Sequence, residues 1–487
     1  MASRRLVVGP FNRVEGDLEV TLEIAQGRVV SARVNAPMYR GFEQILQGKS
    51  PHDALVYVPR ICGICSVSQS VAAARALAGA AGLVPPPNGR HVTNLMLAAE
   101  NLADHLSHFY LFFMPDFTRP VYAGEPWFEE GVRRFDAQRG EQVRRAIAAR
   151  QRWFTLLGTL GGKWPHTQSI EPGGSARPVD AAERIRLMAR VREFRGFLEQ
   201  NLYAAPLEEV GALRSEAEFE AWCARAPGQG DLRLFAQLAA ALSLHRLGGG
   251  PGRYLCHGSY EQPDGRWFAP PGLWVAATRQ LEPLDLAQVS EDAHCAWLAS
   301  DGGPRHPAVG LTRPDADKPG AYTWNKAPRL GGRVVETGAI ARQLAAGQPL
   351  VHDLVARCGG SVYTRVIARL LELAAVVPQM EDWLRALQPG EPWCVEGPLP
   401  DTGEGVGLTE AARGALGHWL RLEGGRIASY QIVAPTSWNF SPRDAQGTPG
   451  ALEAALEGAP VAPGEQTPVA VQHIVRSFDP CMVCTVH

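Results

Sequence analysis

The chain has 487 residues, 45% of them hydrophobic, and a formal net charge of −2. That length is ample for a large buried core, and balanced charge without Lys/Arg blocks argues against nucleic acid or an anionic membrane surface as the main partner. No long apolar run of membrane-spanning length occurs, and residues 1–10 lack the apolar region of a signal peptide, so a cytoplasmic protein without membrane insertion is expected.

In chain order, residues 5–9 and 17–35 read as strands. Leu18 to Ile24 alternates, Gln26-Gly27 turns, and Arg28 to Val34 alternates again, which predicts a hairpin. From about residue 40 the period becomes helical. An Ala-rich helix is predicted from Cys62 to Gly82, and a long apolar one over 91–114 with Asn101, Asp104, His105 and His108 along one side. Further helices are predicted over 140–160, 179–203 and 232–247. The Gly-, Pro- and Trp-rich stretch 250–335 reads as loops and short strands on the surface. Val362 to Leu387 is helical, with Val362, Val366, Leu370, Leu373 and Val377 on an apolar face and Arg365, Arg369 and Glu372 on a polar one. Ala415 to Leu422 and Arg426 to Val433, joined by Glu423-Gly424-Gly425, form a second hairpin. The expectation is an α+β, predominantly helical chain forming one domain over 1–487. Its parts are a β-rich segment 1–50, a helical core 51–250, wrapping loops 251–335, and a 336–487 part with a helix, a hairpin and a metal-binding C-terminus.

Nine cysteines without regular spacing make a poor disulfide framework. Cys223, Cys256, Cys295, Cys358 and Cys394 stand alone and read as small buried hydrophobes. The other four form two Cys-x-x-Cys pairs, Cys62/Cys65 and Cys481/Cys484, more than four hundred residues apart. Each pair has the spacing that grips one metal, and together they point to a buried centre rather than a compact zinc ribbon. Thiolates suit zinc, copper(I), iron–sulfur clusters, or nickel and iron, and ligand type alone does not choose among them.

The neighbouring motifs do choose. Arg13-Val14-Glu15-Gly16, Arg40-Gly41-Phe42-Glu43, Arg60-x-Cys62-Gly63-x-Cys65, Asp104-His105-Leu106-x-His108, Glu410-Ala411-Ala412-Arg413-Gly414 through Trp419, and Asp479-Pro480-Cys481-x-x-Cys484-x-x-His487 occur in this order. Together they closely resemble the large subunit of nickel–iron hydrogenases from residue 6 to residue 487. The resemblance implies that family's fold, with a central bundle of long helices and peripheral β-hairpins. It implies terminal nickel ligands at Cys62 and Cys481, and bridges to iron at Cys65 and Cys484. The iron would carry carbonyl and cyanide ligands, with Thr436 donating to a cyanide. Arg413 would lie beside the metals, anchored by Asp104 and Asp479. Glu15 would take the proton from a terminal cysteine. Glu43, the carbonyl of Ile432 and His487 would hold a magnesium ion, and His166 would lie in a segment facing the partner's nearest cluster. Without spare cysteine clusters for iron–sulfur ligation in this chain, electrons would leave through a small subunit carrying iron–sulfur clusters.

Departures from the common pattern point to a subclass. Gln69 stands where a His usually follows the first Cys motif. Ile64 and Phe112 are bulkier than the residues that usually border the gas channel, so oxygen tolerance is expected. The sequence stops at His487, where catalytic members of the family are usually made with a removable extension, so a chain that needs no such removal is expected. The residue before Arg413, commonly Pro, is Ala412. The first three departures resemble the regulatory, dihydrogen-sensing subclass, which implies low turnover, a dimer of heterodimers and a sensor histidine kinase as partner. An energy-conserving uptake hydrogenase is the alternative, and a structural zinc protein the remote one.

Overall fold

The computed structural model describes residues 4–300 and 302–487. Strands Arg4–Val8, Glu19–Ala25 and Arg28–Asn35 form an antiparallel sheet in which Val20 opposes Val34 and Leu22 opposes Ala32. The predicted alternation turns these side chains inward, where they are buried.

The core is built on two long helices, Pro87–Ser107 and Val362–Ala386, packed against each other and nearly buried throughout. That burial corrects one expectation. Arg365, Arg369 and Glu372 do not face solvent; all three are interior. Arg365 forms a two-pronged pair with Glu336 at 2.7 and 2.9 Å, and Arg369 donates to the Ser477 carbonyl at 2.6 Å. Glu372 accepts from Arg342 and lies 2.7 Å from His105. A polar stripe on a doubly packed helix survives only if its groups find partners: Arg365 and Glu372 lie in ion pairs, and Arg369 rests on main-chain carbonyls.

The 91–114 prediction merges three elements. The α-helix ends at Ser107, a π-turn spans His108–Phe113, and a 3-10 turn spans Met114–Thr118. The 250–335 stretch does form short strands, among them Arg253–Cys256, Gly272–Val275 and Ala327–Leu330, but it is not merely superficial. Tyr254, Tyr260, Asn325 and Arg329 from it are buried. Of the five isolated cysteines only Cys256 is buried; Cys223, Cys295, Cys358 and Cys394 are partly exposed.

The second hairpin gains an unpredicted strand. Gly403–Ala411, Gly414–Glu423 and Arg426–Val433 make a three-stranded antiparallel sheet, and the first strand lies on helix Ser66–Ala81. Its alternating glycines are what permit the contact. A Cβ on Gly405 or Gly407 would lie 1.9 Å from the Ala76 carbonyl oxygen or 1.8 Å from that of Ala72. Among the described residues, no helix is long and apolar enough to cross a membrane.

Candidate metal centre

Both cysteine pairs sit where the chain enters a helix, but not as the spacing predicts. A 3-10 turn, Val58–Ile61, ends at Cys62, whose backbone is extended, and Cys65 is the residue just before helix Ser66–Ala81. Cys62 is therefore outside the helix. The helix's first amides are satisfied by Glu100, a residue that no motif marks. Glu100 accepts from Val67 N at 2.8 Å, Ser68 N at 2.9 Å, both serine hydroxyls and the Trp164 indole. An acid at the positive end of a helix is favourable, although burial pushes this carboxyl up to about 7 against those donors.

At the other end, helix Val469–Ser477 stops, Asp479 takes a left-handed conformation, and Cys481 precedes a single turn, Met482–Thr485. The terminal segment is stitched to the N-terminal loop, Met482 N donating to the Glu15 carbonyl at 2.7 Å and Glu15 N to Pro480 O at 3.4 Å.

The four sulfurs converge. All lie within 4.8 Å of one another and all four cysteines are buried. Cys65 and Cys484 are closest, Sγ to Sγ 2.8 Å; Cys481 to Cys484 is 3.2 Å and Cys62 to Cys481 is 3.5 Å. Hydrogen bonds from the other three thiols, together with Arg413, push the Cys62 thiol well below its usual range. The same hydrogen bonds push Cys65 up, and burial pushes up Cys481 and Cys484, since further thiolates would be buried beside the first. Four thiolates can coexist here only around a multivalent cation, so the donor set fits a soft metal centre.

Arg413 is buried beside this cluster. Its Nη2 and Nε donate to Asp479 Oδ1 and to the Asp479 carbonyl, both at 3.1 Å, and its Nη1 lies 2.9 Å from Asp104 Oδ2. Two carboxylates share one guanidinium, and their acidities separate. Burial pushes Asp104 up to about 7, while for Asp479 burial is opposed by Arg413 together with His108, Arg369 and His105, which hold it below its usual range. Thr436 accepts from Cys481 N at 3.2 Å through Oγ1, which leaves its O–H free to donate. Burial, with the nearby Cys62, raises the Glu15 carboxyl.

Gln69 lies one turn into the Cys65 helix. Its Oε1 is 2.9 Å from His418 Nε2, and His418 Nδ1 is 2.8 Å from the Tyr430 hydroxyl. Burial holds His418 down to about 3, so the ring is neutral and the tautomer that donates to Gln69 accepts from Tyr430. Ile64 packs on the apolar cluster that contains all four cysteines. Phe112, on the π-turn, is half-buried and is not part of that cluster. His166 is held by its Nδ1, 2.9 Å from the Pro59 carbonyl.

The residues expected to hold magnesium also meet. Glu43 is buried, accepts from Thr312, and has Oε1 3.3 Å from His487 Nε2. Ile432 reaches it through its N–H, at 2.8 Å, rather than through the expected carbonyl. His487 Nδ1 donates to Cys484 O at 2.9 Å, so the Nε2 lone pair faces a carboxylate oxygen. Two acceptors so placed require a proton or a cation between them. Lys326, which lies in no motif, brings its ammonium within 3.9 Å of Glu43 and 2.9 Å of Glu291. Burial alone would raise Glu43, but Lys326 and His487 bring it down to about 2. These groups line a cavity of about 20 Å³, room for one small ion or water.

With this geometry in view, the sequence profile of nickel-dependent hydrogenases matches residues 40–125 and 144–487. The chain belongs to that family. The hydrogenase subunit is 31% identical to the periplasmic NiFeSe hydrogenase large subunit of Desulfomicrobium baculatum, over 99% of this chain and 95% of that one. It is 26% identical to the hydrogenase-2 large chain of Escherichia coli, over 100% and 97% of the two chains. Its fold superposes on the Ni-Fe-Se hydrogenase of Desulfovibrio vulgaris Hildenborough with a TM-score of 0.86, at 29% identity and full coverage of both chains. The family assignment and the four-thiolate pocket agree that this hydrogenase subunit is built for a nickel–iron centre.

Proposed function

We propose that this subunit holds its nickel–iron centre on Cys62, Cys65, Cys481 and Cys484, cleaves dihydrogen heterolytically there, and acts in the cytoplasm as a dihydrogen sensor signalling to a histidine kinase. The observation that carries the cleavage chemistry is the convergence of four buried sulfurs beside an Arg413 held between two aspartates. Cys65 and Cys484, the shortest sulfur–sulfur pair, and Cys62 and Cys481 would together hold the two metals. When bound, the centre supplies a Lewis acid, on iron carrying carbonyl and cyanide, that polarises dihydrogen.

The chain's own groups do the rest. The Cys481 thiolate takes the proton, and Glu15, tied by its main chain to residues 480–482, passes it outward. Arg413 holds positive charge in a dry site, where it is worth more than in water. Thr436, whose hydroxyl proton is free, would donate to a ligand on the iron. Glu43 and His487 would hold magnesium, with the Ile432 N–H fixing the Glu43 carboxylate, and the ion would secure the buried chain end. A small subunit carries the iron–sulfur clusters, in a dimer of heterodimers.

The sensor reading is supported by Gln69. Its amide cannot titrate and is held by a neutral His418, so the site lacks an ionisable group at that position. A second reading, an energy-conserving uptake hydrogenase, is favoured by likeness to the uptake hydrogenase large subunit of Rhodobacter capsulatus, 25% identical over 100% of this chain and 95% of that one. Metal analysis and infrared spectroscopy test the common ground: nickel, iron and carbonyl and cyanide bands are expected, and zinc alone would refute both readings. A dihydrogen-dependent change in autophosphorylation of a co-encoded kinase, with slow dye reduction, is expected of the sensor. Fast dye reduction without any kinase response would favour uptake.

A further inference from the structure

Ala412 and Arg413 are the whole loop between strands Gly403–Ala411 and Gly414–Glu423, since Ala411 pairs directly with Gly414. A two-residue loop carrying a buried charge needs its backbone fixed from outside, because each residue otherwise retains its conformational freedom. Position 412 lacks the proline that the motif commonly carries, and with it the locked φ.

A third group supplies the restraint. Arg342, on the short helix Ala339–Ala345, is fully buried and reaches both carbonyls that precede Arg413. Its Nη1 donates to Ala411 O at 2.7 Å and its Nη2 to Ala412 O at 2.9 Å. The remaining N–H groups go to carboxylates: Nη1 to Glu410 Oε2 at 2.9 Å, and Nε and Nη2 to Glu372, both at 2.7 Å. All five donors of the fork are thus used, and the fork is rigid and planar. On the far side of the loop, Ala415 N donates to Thr337 Oγ1 at 2.5 Å, and Asn439 pins Thr337 through its N–H and carbonyl at 3.0 and 2.9 Å. Gly414 closes onto Thr337 so tightly that a Cβ there would lie 2.0 Å from Oγ1, at a φ of 127°.

We propose that Arg342 is the positioning residue for Arg413: by gripping the Ala411 and Ala412 carbonyls it fixes the loop in place of a proline, and so sets where the Arg413 guanidinium sits over the sulfur cluster. Arg342 touches no reacting atom. Its grip explains how Ala412 is accommodated without loss of geometry. The inference rests on the reading of Arg413 as the cation beside the metals.

The test compares Arg342→Lys, Ala412→Pro and the double variant in the complete, metal-loaded complex. Lysine keeps the charge near Glu372 and Glu410 but cannot span two carbonyls. For Arg342→Lys, faster amide exchange at residues 412–415, a shift of the cyanide infrared bands and a roughly ten- to hundredfold fall in kcat with unchanged KM for dihydrogen are expected. The double variant is expected to recover all three, and Ala412→Pro alone to change little. Unchanged loop exchange and cyanide bands in Arg342→Lys, or a double variant that regains thermal stability without regaining them, would overturn the proposal. Should Arg342→Lys not accumulate as folded protein, Glu410→Gln, which removes one anchor of the fork, is read by the same three signals. Absence of cyanide bands in the unaltered protein would refute the function instead, and loop exchange would still decide the clamp.

Discussion

Arg413 is held between two aspartates, and each residue around it meets a different demand. Asp479 lends a side-chain oxygen and its carbonyl to the guanidinium, while Asp104 shares the charge and is pushed toward its protonated form. Glu15 is separable from this group. Its structural contacts are made by the main chain, so Glu15→Gln keeps the fold and metal content and removes only the acid. Hydrogen–deuterium exchange with solvent should slow by about a hundredfold or more, the usual worth of a general acid–base group, at unchanged nickel and iron. Unaltered exchange would mean that another route carries the proton.

A second residue-scale prediction concerns pH. Burial pushes Glu453 up to about 7, although it accepts from Val34 N and the Tyr322 hydroxyl at 2.9 and 2.8 Å. Its folded pKa is raised above the unfolded value of about 4.3, so the stability it contributes is fully present below that value. That contribution is lost as pH rises through about 7. Glu453→Gln mimics the protonated form at every pH. Denaturant titrations should show it near neutral at pH 4 and stabilising at pH 8. The gain is a few kcal/mol at most, since each pH step between the unfolded and folded pKa is worth ~1.4 kcal/mol. A pH-independent difference would show that Glu453 is ionised in the fold.

At the scale of elements, helix Ser66–Ala81 is the platform of the site. Glu100 satisfies its first amides, and the strand Gly403–Ala411 lies against its alanines. Gly407→Ala drives a methyl into the Ala72 carbonyl and must separate strand from helix. A loss of about 1–3 kcal/mol or more is expected, read as a lower melting temperature together with lower nickel content, because the same helix leads directly from Cys65. Glu100→Ala leaves Val67 N, Ser68 N and the Trp164 indole without their acceptor. It should cost about 1–3 kcal/mol, measured by denaturant unfolding.

At the scale of the molecule, the chain's last residues are interior, held by Glu15, Thr436, Ser437 and Glu43. Three of the four clustered thiols prefer to stay protonated without a metal, so metal binding and burial of the terminus are linked. Metal-free protein should melt lower than the loaded form, and limited proteolysis should cut near residues 478–487 only when metal is absent. Equal protection of both forms would show that packing alone seals the terminus.

Local periodicity and spacing were enough for much of this. The first hairpin, the long helices and the two cysteine pairs were legible because strand alternation, helical period and spacing are properties of the chain itself. Arg413, Asp104, Asp479, Thr436, Glu43 and His487 were given their roles only through the family resemblance that the ordered motifs carry. Gly403–Ala411 was not legible, since its glycines make sense only against a helix three hundred residues away. Nor were the grips of Arg342, Lys326 and Glu100 legible. Glu100 gave the same signal as Asp104, an acid in an apolar helix, and could have been read the same way. Arg342 and Lys326 lie in ordinary stretches with no motif. The order of residues along the chain carried the family resemblance, the thiolate set and most of the elements that present it. Tertiary structure alone decided which buried charges are paired, and which distant side chain holds the Arg413 loop. Pairing depends on distance in space, and the energy of an interior charge is set by the neighbours that folding brings to it.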